Sequence, residues 1–393
     1  MKKMLAVSTL LILLGFSAAL GQGKFSGYMF GDYYYNVARD ANIGSVPNVA
    51  SPAGATAYQA FQFRRIYFTY DNDISEQFTT RFRLEADQVQ ETVDGTKSFT
   101  TSIPASSAPV DTSRHPWIAK VPSGTGTVSN QASKISTFVK DAYLKWKNIF
   151  SGSDLIFGIQ PTPAYEISEA AWGYRSLEKT IMDLRGIVPS RDLGISLKGK
   201  ITDDGMFNYW AMLANGSGNS PETDKYKRYY AHIQAKPITN LQATLYFDYK
   251  DAPNTAAGKN NSTTTTALFV GYNEPFMYNV SFEGFMTSQA NQFAPTGGTL
   301  GSKNGFGFSV FGSYYIIPEL AAVARFDSWD PNTNSASNAI GDVRTVVIAG
   351  VSWKIDKNVS IMPNIYYESY ESTVASSPSA SVTARVTLYY VFL

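Results

Sequence analysis

The chain has 393 residues, of which 17% are charged and 14% aromatic, and its formal charge is +1. Low charge with abundant Tyr, Phe, Ser, Thr, Asn and Gly fits an all-β protein, and the lack of a basic surplus argues against a nucleic-acid partner. The chain contains no Cys, which excludes disulfides and attachment through a lipidated cysteine.

Residues 1–21 read as a secretory signal peptide. Lys2 and Lys3 form a basic start, Met4–Leu14 an apolar run, and Ala19-Leu20-Gly21 a small-x-small cleavage site. That run is shorter than the roughly 20 residues a membrane-spanning helix needs. The mature domain, 22–393, then begins near Gln22 and carries slightly more acidic than basic residues.

From there onward, alternating apolar and polar segments of roughly strand-crossing length recur. Lys24–Val37, Phe61–Tyr70 and Phe78–Asp87 come first, followed by Thr137–Trp146, Asp154–Gln160, Asp192–Thr202 and Phe207–Asn215. Tyr226–Lys236, Leu241–Lys250, Thr264–Tyr272, Met277–Thr287 and Gly305–Tyr315 continue the series. Leu320–Trp329, Val343–Lys354, Val359–Ser369 and Ser381–Leu393 close it, for about sixteen strands, an even number. Short connections such as 237–240 and 356–358 alternate with long ones such as 38–57, 88–136 and 161–191. The expected fold is a transmembrane antiparallel β-barrel with short periplasmic turns and long extracellular loops.

In the hairpin 61–87, Thr80, Phe82, Leu84 and Ala86 share a lipid face, and Arg81, Arg83 and Glu85 face the lumen. Parity puts Arg65 inward and Arg64 outward unless a bulge intervenes. Pairing across 71–77 would set residue 65 opposite roughly 83, clustering Arg65, Arg81 and Arg83 as an anion-attracting patch. Lumen parity also collects Lys198, Lys200, Arg228, Lys236, Arg325 and Arg385, so basic residues outnumber acidic ones there and predict a mild anion preference. Alternatively, these charges pair across the wall and only keep the lumen wet. Aromatics near strand ends, Trp329 and Trp353 among them, are expected in the interfacial girdles. Two segments fit the pattern badly. Phe207–Asn215 has aromatics on both parities, and Val346 and Ile348 fall on the lumen side.

The loop 161–191 contains Ser176-Leu177-Glu178-Lys179-Thr180-Ile181-Met182-Asp183-Leu184-Arg185-Gly186. Ser176 is a candidate N-cap and Gly186 a glycine stop, which puts Leu177, Ile181 and Leu184 on one face of a short helix. Such a stripe can dock on the inner wall and narrow the pore, or pack on other outer loops. Two histidines, His115 and His232, accompany no nucleophile motif, and no enzyme is expected. Asp71-Asn72-Asp73 lacks the rest of a calcium loop and reads as a turn. No cofactor or metal is called for.

The segments FQFRRIYFTYDNDISEQFTTRFRLEAD (61–87), LIFGIQPTPAYE (155–166), RDLGISLKGK (191–200) and RFDSWDPN (325–332) resemble the phosphate-selective porin O and P family. The resemblance implies a sixteen-strand, trimeric outer-membrane channel whose third long loop narrows the lumen, in contact with membrane lipid and lipopolysaccharide. The family's double arginine corresponds to Arg64 and Arg65. The dense arginine and lysine clusters of its phosphate-selective members have no counterpart here, so the function expected is passive diffusion of small hydrophilic solutes, with a phosphate or oligophosphate channel as alternative. A barrel enzyme using His232, or an adhesin presenting 88–136, would belong to other classes.

Overall fold

The computed structural model describes residues 23–40, 55–87, 136–252, 261–293, 301–333, 343–371 and 378–393. The leader with its cleavage site, His115, and the loop 88–136 apart from Ser136 lie outside the described residues.

Sixteen strands run in sequence order and close into one antiparallel barrel. They are β1 (Lys24–Ala38), β2 (Gln59–Asp73), β3 (Phe78–Asp87), β4 (Ser136–Phe150), β5 (Ser153–Pro161) and β6 (Arg191–Lys200). Next come β7 (Phe207–Ala214), β8 (Arg228–Ile238), β9 (Leu241–Lys250), β10 (Thr263–Glu274) and β11 (Tyr278–Phe293). The last are β12 (Gly301–Ile317), β13 (Leu320–Asp330), β14 (Arg344–Asp356), β15 (Val359–Tyr370) and β16 (Ser381–Val391). β1 pairs with β16, Tyr33 opposite Val386, so no strand edge is left with unpaired N–H and C=O groups. Turns 151–152, 239–240, 318–319 and 357–358 lie at one end, and the loops 162–190 and 215–227 at the other.

Alternation along the strands is the physical basis of this wall. In β9 the buried Thr244, Tyr246 and Asp248 alternate with exposed Leu245 and Phe247. Leu245 and Phe157 are each 63% exposed, which suits hydrocarbon rather than water. Trp353 and Tyr314 are exposed near the short-turn end. Trp329 is not a girdle residue. It points inward, 8% exposed, and stacks on Phe285 with ring centroids 5.1 Å apart.

The β2–β3 register also departs from the sequence expectation. Arg65 lies opposite Asp87, Thr69 opposite Arg83 and Asp71 opposite Arg81. The strands run on to Asp73 and resume at Phe78, so the hairpin is centred between Asp73 and Thr79 instead of midway along 71–77, and each partner moves along the ladder. On the other edge of β2 the pairing slips between Phe30/Arg65 and Gly31/Phe63, leaving Arg64 as a bulge residue. The bulge turns Arg64 inward together with Arg65.

Candidate functional site: a loop folded into the lumen

The loop joining β5 to β6 touches inward side chains almost all the way round the barrel. His232 of β8 donates from Nδ1 to the Pro163 carbonyl (3.0 Å), and Ser168 donates to Glu283 of β11 (2.8 Å). Arg185 pairs with Glu368 of β15 at 2.9 Å, and Arg64 of β2 donates to the Ser176 and Leu177 carbonyls at 2.8 and 2.9 Å. A segment in contact with wall strands on opposite sides of a closed barrel lies in its lumen.

Two short helices form within it, α1 (Glu166–Trp172) and α2 (Ile181–Leu184). The helix expected over 176–186 is confined to the single turn of α2, with Thr180 at its N-cap position but making no side-chain cap bond, and α1 is an addition to the expected elements. The reason lies in the carbonyls of 176–179. Those of Ser176 and Leu177 accept from Arg64, that of Glu178 from Trp172 Nε1 (2.8 Å), and that of Lys179 from Arg325. Side chains occupy the acceptors that a helix would use. Gly186 does stop the helix, at φ 62°, with the N–H of Gly186 on Asp183 O and the N–H of Ile187 on Met182 O. That is a Schellman closure, whose left-handed residue is cheapest as glycine.

The loop's apolar side chains are shared between two clusters. Trp172 and Leu177 pack with Phe311, Val346, Ile348 and Met362. Ile181 and Met182 pack with Met212, Tyr230, Phe285 and Trp329. Val346 and Ile348, and Met212 of β7, are therefore the wall's side of a loop interface, all nearly fully buried. Leu177 and Ile181 do not share one helix face, and Leu184 is only half-buried.

The electrostatics of the loop are equally built. Glu178 sits between Arg64 (3.5 Å) and Arg385 (3.9 Å). Burial alone would raise its pKa, but the two guanidiniums and the Lys179 N–H overcome that and bring it to about 2. Arg175 bridges Glu169 and Asp183, both at 3.3 Å, and Lys179 approaches Asp183 at 3.9 Å. Burial works to raise the Asp183 carboxyl, yet Arg175 and Lys179 hold it below its ordinary value.

The basic wall residues fall into two groups. Arg65 pairs with Glu85 (3.2 Å), Arg81 with Asp71 (2.7 Å), Arg83 with Asp141 (3.3 Å) and Arg228 with Asp248 (2.6 Å). Arg325 pairs with Asp327 (2.5 Å), and Arg385 donates to Asn364 (2.9 Å). Asp73, at the strand end beside Asp71, is taken by Lys147 at 3.3 Å. By contrast, Lys200 and Lys236 are exposed at the short-turn end of the wall and make no salt bridge among the described residues. They line a vestibule of about 730 Å³ with Arg81, Lys145 and Lys198, against which stand Asp154 and Glu166. Lys198 reaches Glu166 at 3.0 Å and lies over the Trp210 ring, 4.0 Å from its centroid.

A closed sixteen-stranded barrel with a loop folded into its lumen is the architecture of outer-membrane porins. The structure superposes on the outer membrane channel DcaP of Acinetobacter baumannii with a TM-score of 0.63 at 11% identity, covering 95% of this chain and 98% of that one. It superposes on an anion-selective porin from Comamonas acidovorans with a TM-score of 0.59 at 10% identity, covering 95% and 100%. For Salmonella typhi OmpF in complex with daunomycin the values are 0.58 and 10%, covering 95% and 98%. No protein-family model matches the chain, and comparison with curated proteins finds no match.

Proposed function

We propose that the protein is a passive porin of the Gram-negative outer membrane, exported by a cleaved signal peptide, that passes small hydrophilic solutes with a mild preference for anions. The short turns then face the periplasm and the long loops the exterior, against lipopolysaccharide. A homotrimer is the natural assembly for this barrel type, and no catalytic step is part of the reading. His232 serves the loop through Pro163.

The observation that carries the proposal is the asymmetry of the loop's contacts. Apolar clusters seal it to the arc β7–β15. Toward β2–β4 it presents Arg175 and Lys179, with Arg65 and Arg83 opposite, at side-chain exposures of 15–30%. The water path therefore runs between the loop and β2–β4, and the loop is its constriction. Low-dielectric walls focus the field of such groups. The Arg65, Arg81 and Arg83 charges are each offset by a carboxylate, so the anion preference rests as much on Lys200 and Lys236. No dense array of unpaired arginines lines the described lumen, which favours a general porin over a phosphate channel.

The test is reconstitution in a planar bilayer, reading single-channel conductance and the reversal potential in a salt gradient. Ohmic channels with a small anion-side reversal potential support the proposal. A folded barrel that carries no current rejects it.

A further inference from the structure

A second cavity, about 570 Å³, opens at the short-turn end on the far side of α1, and its chemistry differs from that of the basic vestibule. Five aromatic residues line it, Trp172, Tyr174, Tyr272, Tyr315 and Tyr389. Tyr174, Tyr315 and Tyr389 are only half-buried, and Tyr389 continues into Tyr28 (centroids 5.8 Å) and Tyr67 (4.7 Å from Tyr28) along β16, β1 and β2. Between the rings stand side-chain amides and hydroxyls, including Gln242, Asn273, Asn279, Ser281 and Ser352. Asn279 donates to the Ala171 carbonyl at 2.5 Å and so fixes the end of α1 against this wall. Gln242 accepts from Gln234 through its side-chain oxygen at 3.1 Å. Charge is nearly balanced, Glu319 against Lys354 and Lys357.

A wet pore needs no ring faces turned to its water, since exposed aromatic surface there is a cost. Rings interleaved with amides and hydroxyls match a ligand that presents an apolar C–H face and a rim of hydroxyl groups. We propose that this cavity is a subsite for a short carbohydrate of one or two pyranose rings bearing at most one acidic group. The pyranose face packs on Tyr389 and Tyr315, and the ring hydroxyls bond to Gln242 and Asn273. The volume falls within the ~300–1,000 Å³ of typical small-molecule sites. The assignment deepens the porin reading and rests on the lumen admitting solutes, yet binding is measurable without current.

Calorimetry on the full barrel in detergent tests it, with maltose as the probe and mannitol as an acyclic polyol lacking a ring face. Maltose should bind saturably and mannitol should not. Tyr389→Ala should weaken maltose by about fivefold or more, while Tyr389→Phe, which keeps the ring, stays within about twofold, as expected if stacking supplies the energy. Both variants are checked for the folded barrel by circular dichroism. Absence of saturable maltose binding, equal binding of mannitol, or an unaffected Tyr389→Ala barrel overturns the subsite. The same preparations are measured in bilayers. Conducting channels without maltose binding sink the subsite and leave the porin reading standing, whereas maltose binding without current does the reverse.

Discussion

The two sides of the lumen are built from different chemistry. On β7–β15 the inward positions include Met212, Phe285, Phe311, Val346 and Ile348, which meet the loop and exclude water. On β2–β4 the inward positions include Arg65, Arg83, Glu85, Lys140 and Asp141, which pair among themselves, with the carboxylates and Lys140 buried and the two arginines partly exposed. The apolar side holds the loop and the charged side keeps a gap open. An interior apolar residue in a barrel is thus a docking surface, not an error of patterning.

The largest effect should follow from removing the docked element. Deleting 176–186 in a barrel verified as folded should raise single-channel conductance about twofold or more, because the constriction sets the resistance. Unchanged conductance would mean that the solute path avoids this loop altogether.

Next comes the apolar seal. Leu177→Ala and Ile348→Ala each empty a buried position and should cost the docked loop about 2–5 kcal/mol. The barrel ladder itself should be spared. Limited proteolysis of the loop is the check, with faster cleavage expected in both variants at unchanged strand content. A barrel that melts as a whole would show that the clusters stabilise the wall instead.

Arg64→Ala should have a smaller effect. It frees the Ser176 and Leu177 carbonyls and leaves Glu178 to Arg385, at a cost of about 1–3 kcal/mol to docking. Noisier open-channel current is the expected sign, and a current trace as quiet as the parent's would deny Arg64 its anchoring role. The same node gives a pH dependence. The Glu178 carboxyl is depressed in the folded protein, so its contribution is complete above the ordinary carboxylate range and is lost as pH falls toward about 2. Loop protection should hold to well below pH 4 in Arg64-containing barrels, and its loss near neutral pH would contradict the pairing.

Selectivity should change least. Arg65→Ala, Arg81→Ala and Arg83→Ala together remove three cations, leaving Glu85 to Lys140 and Asp141 to Arg191, so the reversal potential should move toward cations. Lys200→Gln with Lys236→Gln, which breaks no salt bridge, should move it in the same direction. Both shifts should fade as the Debye length falls from about 30 Å at 0.01 M to about 3 Å at 1 M.

Much of this was legible in the sequence. All sixteen strands stand where alternation placed them, since every pair must satisfy its backbone within a closed ladder. Arg64 was legible only as a parity conflict, which the bulge opposite Phe30 and Gly31 resolves. Val346 and Ile348 announced the loop interface as misfits. The helix over 176–186 was not legible, because the groups that unmake it, Arg64 and Arg325, lie 112 and 146 residues away in the chain from the carbonyls they hold. Local capping signals carry no trace of such partners. The register of β2 on β3 was missed because the polar run 71–77 hides where the strands stop.

The chain's lack of cysteine allows the most direct test of where the solute path runs. Single variants Arg83→Cys, on the charged side, and Ile348→Cys, on the apolar side, are reconstituted and exposed to a small water-soluble thiol reagent while current is recorded. The account predicts prompt, stepwise block of Arg83→Cys and no change in Ile348→Cys, which lies beneath Leu177 and Trp172. Rapid block through Ile348→Cys with an unresponsive Arg83→Cys would contradict it, and would put the passage on the apolar side of the lumen, between the loop and β14.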